Sequence, residues 1–177
     1  ATHYKFTFPT YPIANEYHPA RILIFPVAAW QNYNAEAELR IAALQKLLAD
    51  KPTTFAPNQT IPLLPVFNAG QVFRAKVSYL SFQNGSGVRF VTQYDNGVLP
   101  INNKELFYTF QGLTADGKYY VSAFFPTNHP SLPADAPSRY QTEMLVMPTA
   151  ESPGLELHLR GMKVDEEFRA VQRRHNQ

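Results

Sequence analysis

Residues able to carry acid–base, nucleophilic or metal chemistry are few in this chain and widely spread. The five histidines are His3, His18, His129, His158 and His175. None pair at a spacing that would put two imidazoles on one helix face, and no His-Glu-x-x-His occurs. The absence of cysteine excludes disulfides, thiolate metal sites and cysteine nucleophiles. There is no Gly-x-Ser-x-Gly elbow, no phosphate-binding loop and no dinucleotide fingerprint. Gly85-Ser86-Gly87 falls where a hairpin turn is expected, and small flexible residues belong there in any case. Glu105, Asp116 and Glu143 could meet in space as the paired carboxylates of a glycosidase, although Asp116 has a sufficient explanation in a turn. No catalytic residue, metal or cofactor is assigned.

Two stretches exceed this background as binding elements. Thr127-Asn128-His129-Pro130 holds a donor and an imidazole in a rigid, proline-bounded loop. Pro100-Ile101-Asn102-Asn103 offers neighbouring amides, which bind polar ligands but also satisfy turn backbones. Trp30, Tyr33, Tyr119 and Tyr120 could form a stacking surface for a sugar or peptide, or could be core. The expected ligand-contacting set is therefore Asn102, Asn103, Asn128, His129, Trp30 and Tyr33.

The element that must position these residues is the stretch 105–125, ELFYTFQGLTADGKYYVSAFF. Two aromatic-rich runs flank Thr114-Ala115-Asp116-Gly117, and Asp-Gly between β-prone segments is a strong hairpin signal. Both faces of each arm carry large apolar groups, which predicts a central hairpin covered on both sides. Upstream, residues 72–82 place Phe73, Ala75, Val77 and Tyr79 on one side, with a bulge expected near Leu80 and Phe82. A turn at 84–87 leads into a strand over 88–94, followed by another turn at Asp95-Asn96-Gly97. Four strands between 72 and 125 make an antiparallel meander.

Residues 3–8 read as a short edge strand and 21–25 as a buried one. The clearest helix spans 34–50. Asn34 is its expected N-cap, Glu36 and Glu38 lie in its first turn, and Ala37, Ile41, Leu44 and Leu48 form a stripe widened by Leu47. From Pro52 to Pro65, with Pro57 and Pro62 between, an extended connection is expected to cross over one edge of the sheet. Residues 138–147 are undecided, and 165–175 read as a terminal helix with acids first and bases last.

The 177 residues, 45% hydrophobic and 14% aromatic, can bury a real core. The organisation expected is one α+β domain over 1–150, an antiparallel meander of five or six strands with the helix on one face, and a C-terminal extension over 151–177 that ends in a helix. A formal charge of +2 and scattered basic residues argue against nucleic-acid binding. No apolar run reaches the ~20 residues of a bilayer-spanning helix. The abundance of Asn, Gln, Thr, Ser and Tyr points to export, and a start at Ala1 fits either a removed signal peptide or a trimmed chain.

The run over 100–133, PINNKELFYTFQGLTADGKYYVSAFFPTNHPSLP, resembles uncharacterised exported or lipoprotein-like bacterial domains of the Chloroflexi type. The likeness implies attachment to the cell surface and offers no site residue to carry over. The helix-on-sheet arrangement is also similar to that of PsbP-like domains, at the level of fold alone. The function expected is a non-catalytic extracellular or surface binding domain with a protein or glycan partner. The alternatives are a hydrolase of extracellular polymers using scattered acids with His129, and a structural subunit of a larger surface assembly.

Overall fold

The computed structural model describes residues 3–30, 34–97 and 99–136. Tyr33, the 138–147 and 165–175 segments, and the proposed boundary near 150 lie outside them. Six strands form one antiparallel sheet in the order β1-β2-β6-β5-β4-β3. They are β1 (Tyr4–Thr7), β2 (Arg21–Pro26), β3 (Gly70–Phe82), β4 (Gly85–Asp95), β5 (Phe107–Thr114) and β6 (Tyr119–Pro126), and among the described residues one α-helix, α1, spans Ala35–Asp50. The α+β class and the antiparallel meander from β3 to β6 are as the sequence predicts. No helix among the described residues is long and apolar enough to cross a membrane.

The β5–β6 hairpin sits at the centre because its turn chemistry leaves little choice. Gly117 takes φ 68°, which glycine adopts at no steric cost. The Asp116 carboxylate accepts from the Thr114 hydroxyl at 2.7 Å and from the Lys118 N–H at 3.1 Å. Leu113 then pairs with Tyr120 and Phe107 with Pro126. Strict alternation sends Phe107, Leu113, Tyr120 and Phe124 to one face, where they join Leu23, Phe25, Val88 and Phe90. Tyr108, Phe110, Ala123 and Phe125 go to the other, with Phe73, Ala75 and Val91. Phe107 and Phe125 are buried, whereas Tyr119, at the hairpin mouth, keeps 38% of its surface exposed.

α1 covers the first face. Asn34 caps it as expected, its side-chain oxygen accepting from Ala37 N–H at 3.1 Å, and Lys51 ends it at φ 43°. Ala37, Ile41, Leu44 and Leu47 are its buried residues, with Leu48 only partly buried. Loops cover the second face through Ala20, Ile101 and Leu106, with Phe8, Tyr11 and Leu132 packed against them.

Three local expectations are corrected. β3 has two register shifts, between Gln71 and Phe73 and between Ala75 and Ser78, the second with Lys76 at φ 55°, and neither is near Leu80 and Phe82. The extra residue reverses the alternation. Phe73 and Ala75 therefore face the loops, while Val77 and Tyr79 face α1. The β3–β4 turn has Gln83 and Asn84 at its tip, and Gly85-Ser86-Gly87 already belongs to β4. Gly87 is there because the Phe110 ring lies across it, and a Cβ would come within 2.3 Å of that ring.

The third correction concerns the proline-rich connection, which crosses the face of the sheet rather than its edge. Ile61, Leu63 and Leu64 are buried over the central strands. The Gln111 carboxamide oxygen accepts from Leu64 N–H at 3.1 Å and from the Tyr120 hydroxyl at 2.7 Å. Its amide donates to Thr109 Oγ1 at 2.8 Å and Ser122 Oγ at 2.9 Å. Ser122 in turn donates to the Leu64 carbonyl, and Thr109 to the Ala123 carbonyl at 2.7 Å. Every member of this buried network has partners, which is the condition under which such networks stabilise rather than cost.

Gln111→Ala would leave Leu64 N–H and the Tyr120 hydroxyl short of an acceptor in the core. We expect a loss of about 3 kcal/mol of unfolding free energy. It would be read as a lowered urea midpoint at unchanged m-value. A loss below about 1 kcal/mol would mean that the strap is held by apolar packing alone.

Candidate functional site

One end of the sheet gathers most of the perturbed ionisable groups. Phe107 pairs with Thr92 and Pro126, and Arg21 pairs with Phe124. The segments leading into β2 and β5 and out of β4 and β6 therefore converge there. Two asparagines fasten them. Asn15 Oδ1 accepts from the N–H groups of Tyr17 (2.9 Å) and His18 (2.8 Å), while its amide donates to the Lys104 carbonyl at 2.8 Å. Asn102 Oδ1 accepts from the N–H groups of Lys104 and Glu105, each at 3.1 Å. The result brings His18 and Glu105 face to face.

The His18 ring is 7% exposed and lies 4.2 Å, centroid to centroid, from Phe107. Phe67 stands 5.7 Å from His18, and meets Tyr94 edge-on at 5.2 Å. Nε2 of His18 is 3.8 Å from Glu105 Oε2, beyond hydrogen-bond reach. Neither ring nitrogen has a hydrogen-bond partner. Asp95 Oδ2 is likewise buried without one, although Oδ1 accepts from Gly97 N–H at 3.1 Å. Glu105 keeps 25% of its side-chain surface in solvent, so the cluster meets solvent there.

The electrostatics follow from this placement. Burial, and then the neighbouring Arg21 charge, pushes the His18 imidazole down to about 4. It is therefore uncharged at neutral pH, and its approach to Glu105 is not an ion pair. Burial raises the Glu105 carboxyl, with Asp95 adding to the shift, Lys104 opposing it and Asp135 adding again. Burial pushes the Tyr94 phenol up to about 12. The Arg21 guanidinium sits 4.7 Å over the Phe124 ring and donates to the Pro19 carbonyl at 3.3 Å. Lys104 reaches Asp135 at 2.6 Å, both of them exposed.

No protein-family model, curated protein or solved structure matches the chain. Its function has to be read from the chemistry of its sites.

The residues singled out from sequence fall on both sides of this picture. Asn102 is fully buried at the site's base, also donating to the Pro100 carbonyl at 3.1 Å and, through its backbone, to Gln93 at 3.1 Å. Asn103 ties in the neighbouring loop, donating to the carbonyls of His129 and Leu132 at 3.0 Å each and accepting from His129 N–H at 2.7 Å. Nδ1 of His129 accepts from Ser131 N–H at 3.2 Å, and Asn128 is exposed beside it. Trp30 lies at the opposite end of the sheet, against Phe25 at 5.4 Å. Glu105, named from sequence as an acid, meets His18 and not His129. His18, Asp95, Phe67 and Tyr94 were missed. Only the position of His18, in the loop running into a buried strand, gave any hint.

Elsewhere, a cleft of about 460 Å³ lies between α1 and the hairpin tips, lined by Gln45, Leu48 and small residues including Gly85, Ser86 and Ala115. It has no charged side chain in its lining. No three His, Asp or Glu side chains among the described residues are grouped to hold a metal ion.

The unfolded chain binds a proton at His18 near pH 6.5, whereas the native state does so only near 4. Protons between these values therefore favour unfolding, and stability should fall on acidification through that window by about 3 kcal/mol. The raised Glu105 carboxyl works in the opposite sense just above its ordinary pKa and offsets part of the loss. His18→Phe should flatten the profile, as measured by urea unfolding from pH 7 to 4. An unchanged slope would contradict the buried neutral imidazole.

Proposed function

We propose that the protein is a non-catalytic binding domain whose ligand contacts lie at the His18–Glu105 end of the sheet. The observation that carries this reading is the buried His18 ring, which has no hydrogen-bond partner and lies among aromatic faces opposite a half-open carboxylate. Buried polar atoms are nearly always paired, so the unpaired nitrogens of His18 call for an explanation, and a ligand group supplies one. Aromatic rings of Phe67, Tyr94 and Phe107 gathered around a few polar groups have the composition of a ligand site. The perturbed pKa values of His18 and Glu105 support the same placement.

A hydrolase reading draws on the raised Glu105 carboxyl, which could act as a general acid. It is weaker because the imidazole beside Glu105 is held uncharged and makes no hydrogen bond to it, and no hydroxyl nucleophile is joined to the pair. The uncharged polar composition and the resemblance over 100–133 support a setting at the cell surface, with a protein or glycan carrying the ligand group.

A panel of ammonium, carboxylate, sugar and short-peptide fragments, titrated into isotopically labelled protein, tests the location. The resonances of His18, Phe67, Tyr94 and Glu105 should move together and saturably for at least one class. Phe67→Ala should abolish that response. Binding confined to the α1 cleft, or no saturable response from any class, would contradict the reading.

A further inference from the structure

We infer that the group received at this end is an organic ammonium, such as a lysine side chain or an alkylamine presents. This inference rests on the binding reading above and narrows its ligand. The polar groups that remain to be satisfied are almost all acceptors: the Glu105 carboxylate, the buried Asp95 Oδ2 and the unprotonated nitrogen of His18. The Asp95 charge adds to burial in disfavouring ionisation of Glu105, so a cation received beside the Glu105 carboxylate relieves that repulsion.

The protein's own cations nearby are already engaged. Arg21 lies over Phe124 and donates to Pro19, while Lys104 is paired with Asp135 and stands 5.4 Å from the Tyr17 ring centroid. The walls suit the same guest. The rings of Phe67 and Tyr94, both only partly buried, attract an ammonium through their quadrupoles, and a partly desolvated setting strengthens that attraction. An anion would instead meet the Glu105 carboxylate and be rejected. A neutral sugar would find stacking faces but would leave the repulsion on Glu105 unrelieved.

The probes are butylammonium, tetramethylammonium, butyrate and methyl glucoside, each titrated at matched ionic strength while the resonances of His18, Phe67, Tyr94 and Glu105 are followed. Butylammonium should saturate. Tetramethylammonium, which has charge but no N–H donors, should bind several-fold more weakly. Glu105→Gln and Asp95→Asn should each weaken butylammonium about tenfold, with the melting temperature unchanged or raised. Saturation by butyrate or the glucoside without butylammonium would overturn the ammonium assignment and leave the site standing. Butylammonium affinity unchanged from the wild type in both variants would also overturn it. No saturable response to any probe would remove both the assignment and the site.

Discussion

The hydrogen bonds that Leu64 N–H donates to Gln111 and the Leu64 carbonyl accepts from Ser122 are the constraint on which the rest of the molecule depends. After β2 and α1 the chain must reach the far edge of the sheet to begin β3, and the route it takes runs across the middle of one face. An extended backbone there would bury unpaired N–H and C=O groups, at a cost the apolar contacts of Ile61, Leu63 and Leu64 would struggle to offset. Polar side chains projecting from the central hairpin solve this locally. They turn a liability into a fixed strap that, with α1, completes the first core.

The strap also builds the site. Three residues beyond Leu64 it delivers Phe67 to the end of the sheet, where that ring touches His18, Tyr94, Phe107 and Phe124. Ile61 N–H is anchored to Gln71 at 3.0 Å, and Gln71 in turn donates to the Tyr94 hydroxyl at 3.3 Å. The aromatic wall is thus tied to the strap, and the polar groups around His18 are set against a fixed surface. A preformed wall of this kind limits what a ligand must reorganise on arrival.

The local architecture was legible where physical signals are local. Asn34 before an apolar-periodic run marked the helix, and Asp116-Gly117 between aromatic strands marked the hairpin and its two buried faces. The bulge was misplaced because a lysine at positive φ leaves no trace in composition, so the alternation through Val77 and Tyr79 looked unbroken. The apolar residues of the strap were visible, yet its prolines read as an edge crossover, since nothing nearby in sequence names Gln111 as its partner. The site was harder still. Asn15 and Lys104, whose hydrogen bond closes it, are 89 residues apart. Glu105 could be recognised as an acid, but which histidine it would face is decided only by how the sheet is ordered.

The most direct test of this account is native-state hydrogen exchange at the Leu64 amide. If the strap belongs to the core, that amide should exchange only through global unfolding, as slowly as those of the central strand from Phe107 to Thr114. Rapid exchange at Leu64 while the central strand stays protected would show a strap that opens on its own, and the fixed aromatic wall would go with it.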